Sequence, residues 1–279
     1  MSSAYGWSMS TNEIQNYYAL GQEQHRLSGD SEVERLRTEV ILDRYLPPVP
    51  AVICDVGGGA GIYAFPLARK GYQVHLIDIV PLHIEQAKAQ SLSDGIQLAS
   101  ITLGDARNLA IPSSSADAVL LLGPLYHLAE RTGRMKALRE AHRILKPGAT
   151  LIAAAISRFA SFVDGLSHGM FKDAIFRQIV SADLASGMHK NPTDLAEYFT
   201  TAYLHHPDEL KDEVSAAHFE NTKLLAIEGP AWGGAQFRSA VVDVVQRKVL
   251  LEMLAQIEED PSIMGASAHF LAIARKPIS

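Results

Sequence analysis

Apolar and polar residues change rhythm along this chain, and the changes divide it. Between residues 12 and 46, Leu27, Val33, Leu36, Val40 and Leu42 recur at roughly helical spacing among polar neighbours, which predicts helix, divided at Gly29. The "PPVP" of 47–50 ends that pattern, because proline cannot extend a helix. A short apolar run follows at 51–57, too short for a helix and bounded by Pro and Gly, which predicts a buried strand. Segments at 73–79, 96–106, 116–123 and 149–157 are read as four more strands. Helical patterns fall among them at 62–71, 81–92 and 130–148. Strands alternating with helices predict an α/β fold of parallel βαβ units with helices on both faces. In such sheets ligands bind outside the carboxyl ends of the strands, so the residues just after each strand are the first to inspect.

After Ser157 the rhythm breaks. Residues 158–206 hold many aromatics and histidines and no clear strand, and predict a helical cap inserted after the fifth strand. A helix at 207–219, a strand at 221–229, a helix at about 236–258 and a strand at 267–276 then complete the chain. The expected division is an N-terminal helical lid, 1–46, and a main domain, 47–279, that contains the cap.

The densest short signal is "ICDVGGGAG", residues 53–61, with glycines at 57, 58, 59 and 61 directly after a strand. A P-loop needs a Lys-Ser or Lys-Thr after its last glycine, and none follows. A dinucleotide fingerprint G-x-G-x-x-G counted from Gly57 needs glycine at position 62, which is Ile62. What remains is acidic-x-Gly-x-Gly-x-Gly: Asp55, Gly57, Gly59, Gly61.

Bulk properties narrow the partners. A formal net charge of −6, with no Lys/Arg cluster, argues against nucleic acid. One cysteine, Cys54, excludes an intramolecular disulfide and any multi-cysteine metal site; it reads as a small core residue. The first residues lack the charged and apolar regions of a signal peptide, and no run reaches about 18 apolar residues, so a cytoplasmic protein with no membrane partner is expected. A metal site from His189, His205 and His218 has no recognised ligand spacing, so no metal is expected. The sequence leaves the oligomeric state open.

"DVGGGAG" resembles motif I of the class I S-adenosylmethionine-dependent methyltransferases. Four further segments resemble that family in order: Asp78 ending "HLIDI", "GDA" at 104–106, "DAVLLLGPLYHL", and "EAHRILKPGATLIAAAIS". The resemblance covers about 51–157. It implies a Rossmann-like seven-stranded methyltransferase sheet with one antiparallel strand, and S-adenosylmethionine as cofactor. Asp55 is then expected to serve the cofactor's ammonium directly or through water, and the glycines to let backbone run beside its methionine part. Asp78 is expected to accept both ribose hydroxyls, since a carboxylate is acceptor-only and bidentate. Asp105 is expected to accept from the adenine amino group with the Ala106 amide beside it, and Ile79 and Leu122 to adjoin the cofactor.

The loop after the fourth strand, "GPLYHL", offers Tyr126 and His127 as catalytic candidates. An aromatic face favours a sulfonium, and histidine titrates near neutrality. On the lid, Tyr18 and Arg26 are expected to close on the cofactor and Tyr17 on the acceptor. From the cap and beyond, Phe162, His168, Tyr198, Tyr203, His206 and Trp232 are expected to line an apolar acceptor pocket. Arg35 and Arg37 are expected to make surface pairs with Glu32, Glu34 or Glu39. The function implied is methyl transfer from S-adenosylmethionine to a small organic acceptor, at O or N. Two other classes stay open: a dinucleotide-dependent oxidoreductase, and a non-catalytic cofactor-binding protein of the same fold.

Overall fold

The computed structural model describes residues 17–18, 32–193, 195, 198–230 and 237–278. A helix α1 (Glu32–Tyr45) leads into the alternation β1 (Val52–Val56), α2 (Ala64–Arg69), β2 (Gln73–Asp78), α3 (Pro81–Asp94), β3 (Ser100–Leu103), β4 (Ala116–Leu121), α4 (Pro124–His127), α5 (Arg131–Ile144) and β5 (Leu145–Ile156). Then come α6 (Ala160–His168), α7 (Ala174–Ser186), the two-residue strands β6 (Met188–His189) and β7 (Ala202–Tyr203), and α8 (Pro207–Ala216). The chain continues with β8 (Glu220–Ala226), α9 (Phe237–Val242), α10 (Val244–Ile257), α11 (Pro261–Met264) and β9 (His269–Arg275).

Seven strands form one sheet in the order β3-β2-β1-β4-β5-β9-β8. The β3-β2-β1-β4-β5 pairings are parallel, and β9 runs antiparallel to both neighbours. β1, an inner strand, is almost wholly covered: Ile53, Cys54, Asp55 and Val56 are all buried. Burial pushes the Cys54 thiol up to about 12, with the charge of Asp55 adding to it, so this cysteine is an inert core residue.

Most boundaries follow the sequence pattern; four differences have physical reasons. The helix expected at 130–148 stops at Ile144, and "LKPGA" belongs to β5. Proline disfavours the helical conformation at the residue before it, so Lys146 is extended. The helix expected at 236–258 is two helices, because Asp243 breaks it and caps the second through the amides of Val245 and Gln246. The segment after β5, expected to hold no strand, carries the short β6–β7 pair. Finally, α1 is integral to the core. Ile41 and Leu42 pack fully buried on the sheet face formed by Ile53, Leu120, Ile152 and Leu271, and burying each stabilises by about 1.5–3 kcal/mol.

Arg37 also departs from expectation. Arg35 does pair with Glu32 and Glu39 at the surface, at 3.5 and 2.7 Å. Arg37, on the opposite face of α1, is fully buried, ion-paired with Glu258 and donating to the Ile227 carbonyl at 3.2 Å. A guanidinium is buried only where its charge and donors are met. Gly29 lies outside the described residues.

Candidate active site

A cavity of about 550 Å³ opens at the carboxyl end of the sheet. It runs from Asp105 and Asp78, past the glycine loop and Leu122, to a far end formed by α1, Ile227 and His269. The sheet order explains the place: β1 and β4 are neighbours, yet β1 leads outward to β2 and β4 leads outward to β5, so the loops after them diverge and leave a crevice.

The glycine loop is shaped by its own neighbours. Gly57 and Gly59 have φ of +73° and +59°, which L side chains rarely adopt. A Cβ on Gly57 would lie 2.6 Å from the Pro124 ring, and one on Gly61 would lie 2.7 Å from Phe65. The absent side chains therefore let the loop cross the start of α4 and sit on α2. At Gly59 a Cβ would meet only His83 Nδ1, at 4.0 Å, so that position faces open space.

Asp55 lies behind this loop. Its carboxylate is fully buried, does not line the cavity, and has no hydrogen-bond partner among the described residues. Burial pushes its carboxyl up to about 7, and the nearby Asp78 charge adds to the rise. Asp55 was expected to serve a ligand ammonium directly or through water; its carboxylate lies against Gly58 behind the loop and is not part of the cavity wall.

Asp78 does line the cavity. Its Oδ2 accepts from the Gly59 amide at 2.8 Å; its Oδ1 accepts from the Val80 amide at 2.9 Å and stands 3.1 Å from His83 Nδ1. A carboxylate offers about four acceptor sites. Three are taken, so Asp78 has capacity for one more donor, and its standing work is to hold the loop closed. His83 was not anticipated; it sits five residues on, one helical turn into α3.

Asp105 and Ala106 line the cavity, and so do Ile79 and Leu122. Asp105 is also gripped by Arg107, whose guanidinium reaches Oδ2 at 2.6 Å and whose amide reaches Oδ1 at 2.8 Å. The hydrogen bond to Asp105 raises the Arg107 pKa further.

Tyr126 and His127 are brought to the cavity by α4, which Pro124 starts directly after β4. The Tyr126 hydroxyl donates to the Leu122 carbonyl at 3.1 Å. His127 Nε2 is 2.6 Å from the Tyr18 hydroxyl, and the two rings meet edge-on. Tyr18 also meets His83 edge-on at 5.3 Å between ring centroids. Tyr18 thus bridges the Asp78 side of the cavity and the α4 side. Tyr17 packs on Tyr18 and Phe199 and does not line the cavity.

The cap residues correct a whole set of expectations. Phe162, His168, Tyr198, Tyr203 and His206 do not line the cavity. Phe162 is 42% exposed, and His168 is exposed beside Asp164. Tyr198 is buried in the cap's own core with Phe176, Ile179 and Val180. The Tyr203 ring lies under the Arg134 guanidinium at 3.8 Å, and His206 caps α8. These aromatics build the cap and fasten it to α5 and α8. Arg26 and Trp232 lie outside the described residues. The far end of the cavity is instead lined by Glu34, Thr38, Tyr63, Ala154, Ile227 and His269. They come from five distant segments, and no motif in the sequence groups them.

The three histidines weighed for a metal do not assemble. His189 pairs with Asp183 at 2.9 Å and His205 with Glu213 at 3.5 Å. Among the described residues, the ligand-type groups that do converge are Glu34, Glu228 and His269, with atoms within 4.8 Å of one another.

A sheet of this order, with a left-handed glycine loop after β1, Asp78 after β2 and Asp105 after β3, defines a class I S-adenosylmethionine-dependent methyltransferase fold. Residues 54–153 match the family described as "Methyltransferase domain", and the chain carries a methyltransferase domain of that class. The Ubiquinone biosynthesis O-methyltransferase of Xanthomonas axonopodis pv. citri is 32% identical over 124 residues, 44% of this chain and 50% of that protein. The Ubiquinone/menaquinone biosynthesis C-methyltransferase of Caulobacter sp. (strain K31) is 31% identical over 134 residues, 45% of this chain and 52% of that protein. The chain thus spans about half the length of these curated relatives. Among solved structures, a Methanosarcina mazei SAM-dependent methyltransferase superposes with a TM-score of 0.57 at 20% identity, over 86% of this chain and 98% of that one; this likeness concerns the fold.

The cofactor of this class is S-adenosylmethionine. The residues present fit such a molecule. The loop offers bare backbone at Gly59, the Asp78 carboxylate lines the cavity, and Asp55 holds an unmet carboxylate behind the loop among the described residues.

Proposed function

We propose that this protein transfers a methyl group from S-adenosylmethionine to a small organic acceptor, at oxygen or nitrogen. The observation that carries this reading is continuity: one cavity is lined both by Asp105, Asp78 and the glycine loop and by residues of α1, β5 and β9 with Ile227. That far end suits a small molecule. The names of the O- and C-methyltransferase relatives support the reaction class.

S-adenosylmethionine would supply a methyl carbon activated by its sulfonium, so transfer is an in-line displacement that needs alignment and exclusion of water more than acid–base assistance. Asp78 would hold a ribose hydroxyl with its remaining acceptor site. Asp105 and Ala106 would face the adenine, with Arg107 keeping the Asp105 carboxylate in place. The Gly57–Gly61 backbone would run beside the amino-acid part. Tyr126 presents its ring between the loop and α4, where an aromatic face favours a sulfonium. Tyr18 and His127, joined by their hydrogen bond, would close the cavity between donor and acceptor ends. Breaking that clasp is the step that admits ligands.

Isothermal titration tests the reading. Binding of S-adenosylhomocysteine with no binding of NAD(P) is expected, and the reverse overturns it in favour of an oxidoreductase. Transfer of a labelled methyl group to small-molecule acceptors separates an enzyme from a non-catalytic binder. His127→Ala is expected to lower turnover more than cofactor affinity; an unchanged rate makes the clasp a packing feature.

A further inference from the structure

Arg134, in the first turn of α5, is 2% exposed, and its guanidinium is engaged on three sides. On one side it grips Glu213 of α8: Nε donates to Oε2 at 2.9 Å and Nη2 to Oε1 at 2.8 Å. On another, Nη1 donates to two backbone carbonyls, Leu128 at 3.0 Å and Ala129 at 2.7 Å. The Tyr203 ring of β7 lies against its flat face, with 3.8 Å between the guanidinium carbon and the ring centroid. A planar fork can hold a carboxylate and two carbonyls at once, which a point-like ammonium cannot. Glu213 is itself buried. Burial raises its carboxyl, but hydrogen bonds from His205 and Arg134 and the Arg134 charge outweigh this and hold it down at about 2. The pair is therefore ionised throughout the neutral range. Arg131 and His205 are the other charged or titratable neighbours of this carboxylate among the described residues, at 3.6 and 3.5 Å.

The two carbonyls belong to the chain that leaves the site. Leu128 and Ala129 follow His127 directly, and Leu128 lines the cavity beside Tyr126 and His127. These side chains hang on α4, a single turn of four residues. So short a helix has little stability of its own and takes its position from its surroundings. Both of its ends are anchored from outside. At the start, Pro124 lies against the glycine loop, so closely that a Cβ on Gly57 would come within 2.6 Å of its ring. At the end, the anchor is Arg134. Arg134 does not line the cavity, so it acts through α4.

We propose that Arg134 is a positioning residue for the cavity wall: held by Glu213 and Tyr203, it grips the Leu128 and Ala129 carbonyls and so sets where Tyr126, His127 and the glycine loop stand. One guanidinium thereby couples that wall to the cap, through Tyr203, and to α8, through Glu213. The effect on α4 stands by itself; the effect on ligand affinity rests on the methyltransferase reading.

The test compares the full chain with Arg134→Lys, which keeps a positive charge beside Glu213 and loses the fork. Imidazole signals of 15N-histidine-labelled protein report the site with no ligand added. The His127 signal, assigned from its loss in His127→Gln, is expected to shift in Arg134→Lys as the ring's contact with Tyr18 changes. The His75 signal, from a ring bonded to Ser100 between β2 and β3, is expected to stay in place. S-adenosylhomocysteine affinity, titrated with the variant shown folded by circular dichroism, should fall about tenfold, the size of one lost charge-assisted hydrogen bond. Where Arg134→Lys does not fold, Glu213→Gln carries both readings: it keeps the side chain's size, loosens the guanidinium, and should move both in the same direction. An unmoved His127 signal, or an unchanged affinity in a folded variant, overturns the proposal and leaves Arg134 as a fold contact. Loss of the fold in both variants overturns it too. Failure of the unaltered protein to bind S-adenosylhomocysteine overturns the methyltransferase reading instead, and the His127 comparison then decides the positioning role alone.

Discussion

Asp78 holds three hydrogen bonds before any ligand arrives, so its removal does two things at once. Asp78→Ala takes away a charged acceptor and releases the Gly59 amide. Cofactor affinity is expected to fall by about 1.5–3 kcal/mol, the range for hydrogen bonds to charged groups, and titration with S-adenosylhomocysteine measures it. Asp78→Asn, which keeps one oxygen acceptor, should lose less. Asp55 behaves differently because it is buried and unmet. Its carboxyl ionises near 3.8 in the unfolded chain and at about 7 when folded. Between those values the folded chain keeps a proton that the unfolded chain has lost, so this group lowers stability as pH rises from about 4 to about 7, and its cost is fully present above that. Urea unfolding at pH 5 and pH 8 should show Asp55→Asn gaining on the parent protein at the higher pH. Equal changes at both would mean that the carboxylate is met in solution.

α1 shows how an element drafted as a lid becomes part of the core. Its apolar face, Ile41 and Leu42, covers the sheet, and Arg37 reaches Glu258 beyond the end of α10. Arg37→Ala would leave Glu258 buried with only the half-exposed Arg44 as its partner. Breaking a buried pair by removing one member costs about 3–5 kcal/mol, and the remaining Arg44 places the expected loss at the lower end. A loss below about 1 kcal/mol in denaturant unfolding would show that water relieves Glu258. The pattern of 33–42 revealed the helix, because helical periodicity is local. It could not reveal that Arg37 is internal, because its partner lies 221 residues away.

At the scale of the molecule, most of the cap's aromatic residues point away from the cavity: Tyr198 lies in the cap's own core and Tyr203 under Arg134, while Phe199 meets the ring of the cavity-lining His127. The far end of the cavity is lined by residues of α1, β5 and β9 with Tyr63 and Ile227. Phe162→Ala and His168→Ala are therefore expected to leave S-adenosylhomocysteine affinity and turnover within the change typical of exposed sites, about 0.5 kcal/mol. A tenfold loss in either would return the cap to the acceptor pocket. Among the described residues no helix is long and apolar enough to cross a membrane.

One end of the cavity was legible because it is written in order: the Gly57–Gly61 loop follows β1, Asp78 ends β2 and Asp105 comes just after β3, and parallel strands deliver their carboxyl ends to one edge. Apolar runs of strand length with Pro and Gly boundaries therefore determined the fold class, and the motifs placed after them pointed, through their resemblance to a family, to the class of cofactor. Tertiary structure alone decided which carboxylates still have acceptor sites to offer, which tyrosine meets His127, and that Glu34, Glu228 and His269 share one end of the cavity. The last of these depends on an antiparallel last strand returning beside β5, which brings residues separated by more than two hundred positions into contact. Local patterns carry the sign of each strand and helix; the far wall of a cavity is a property of how they are closed together.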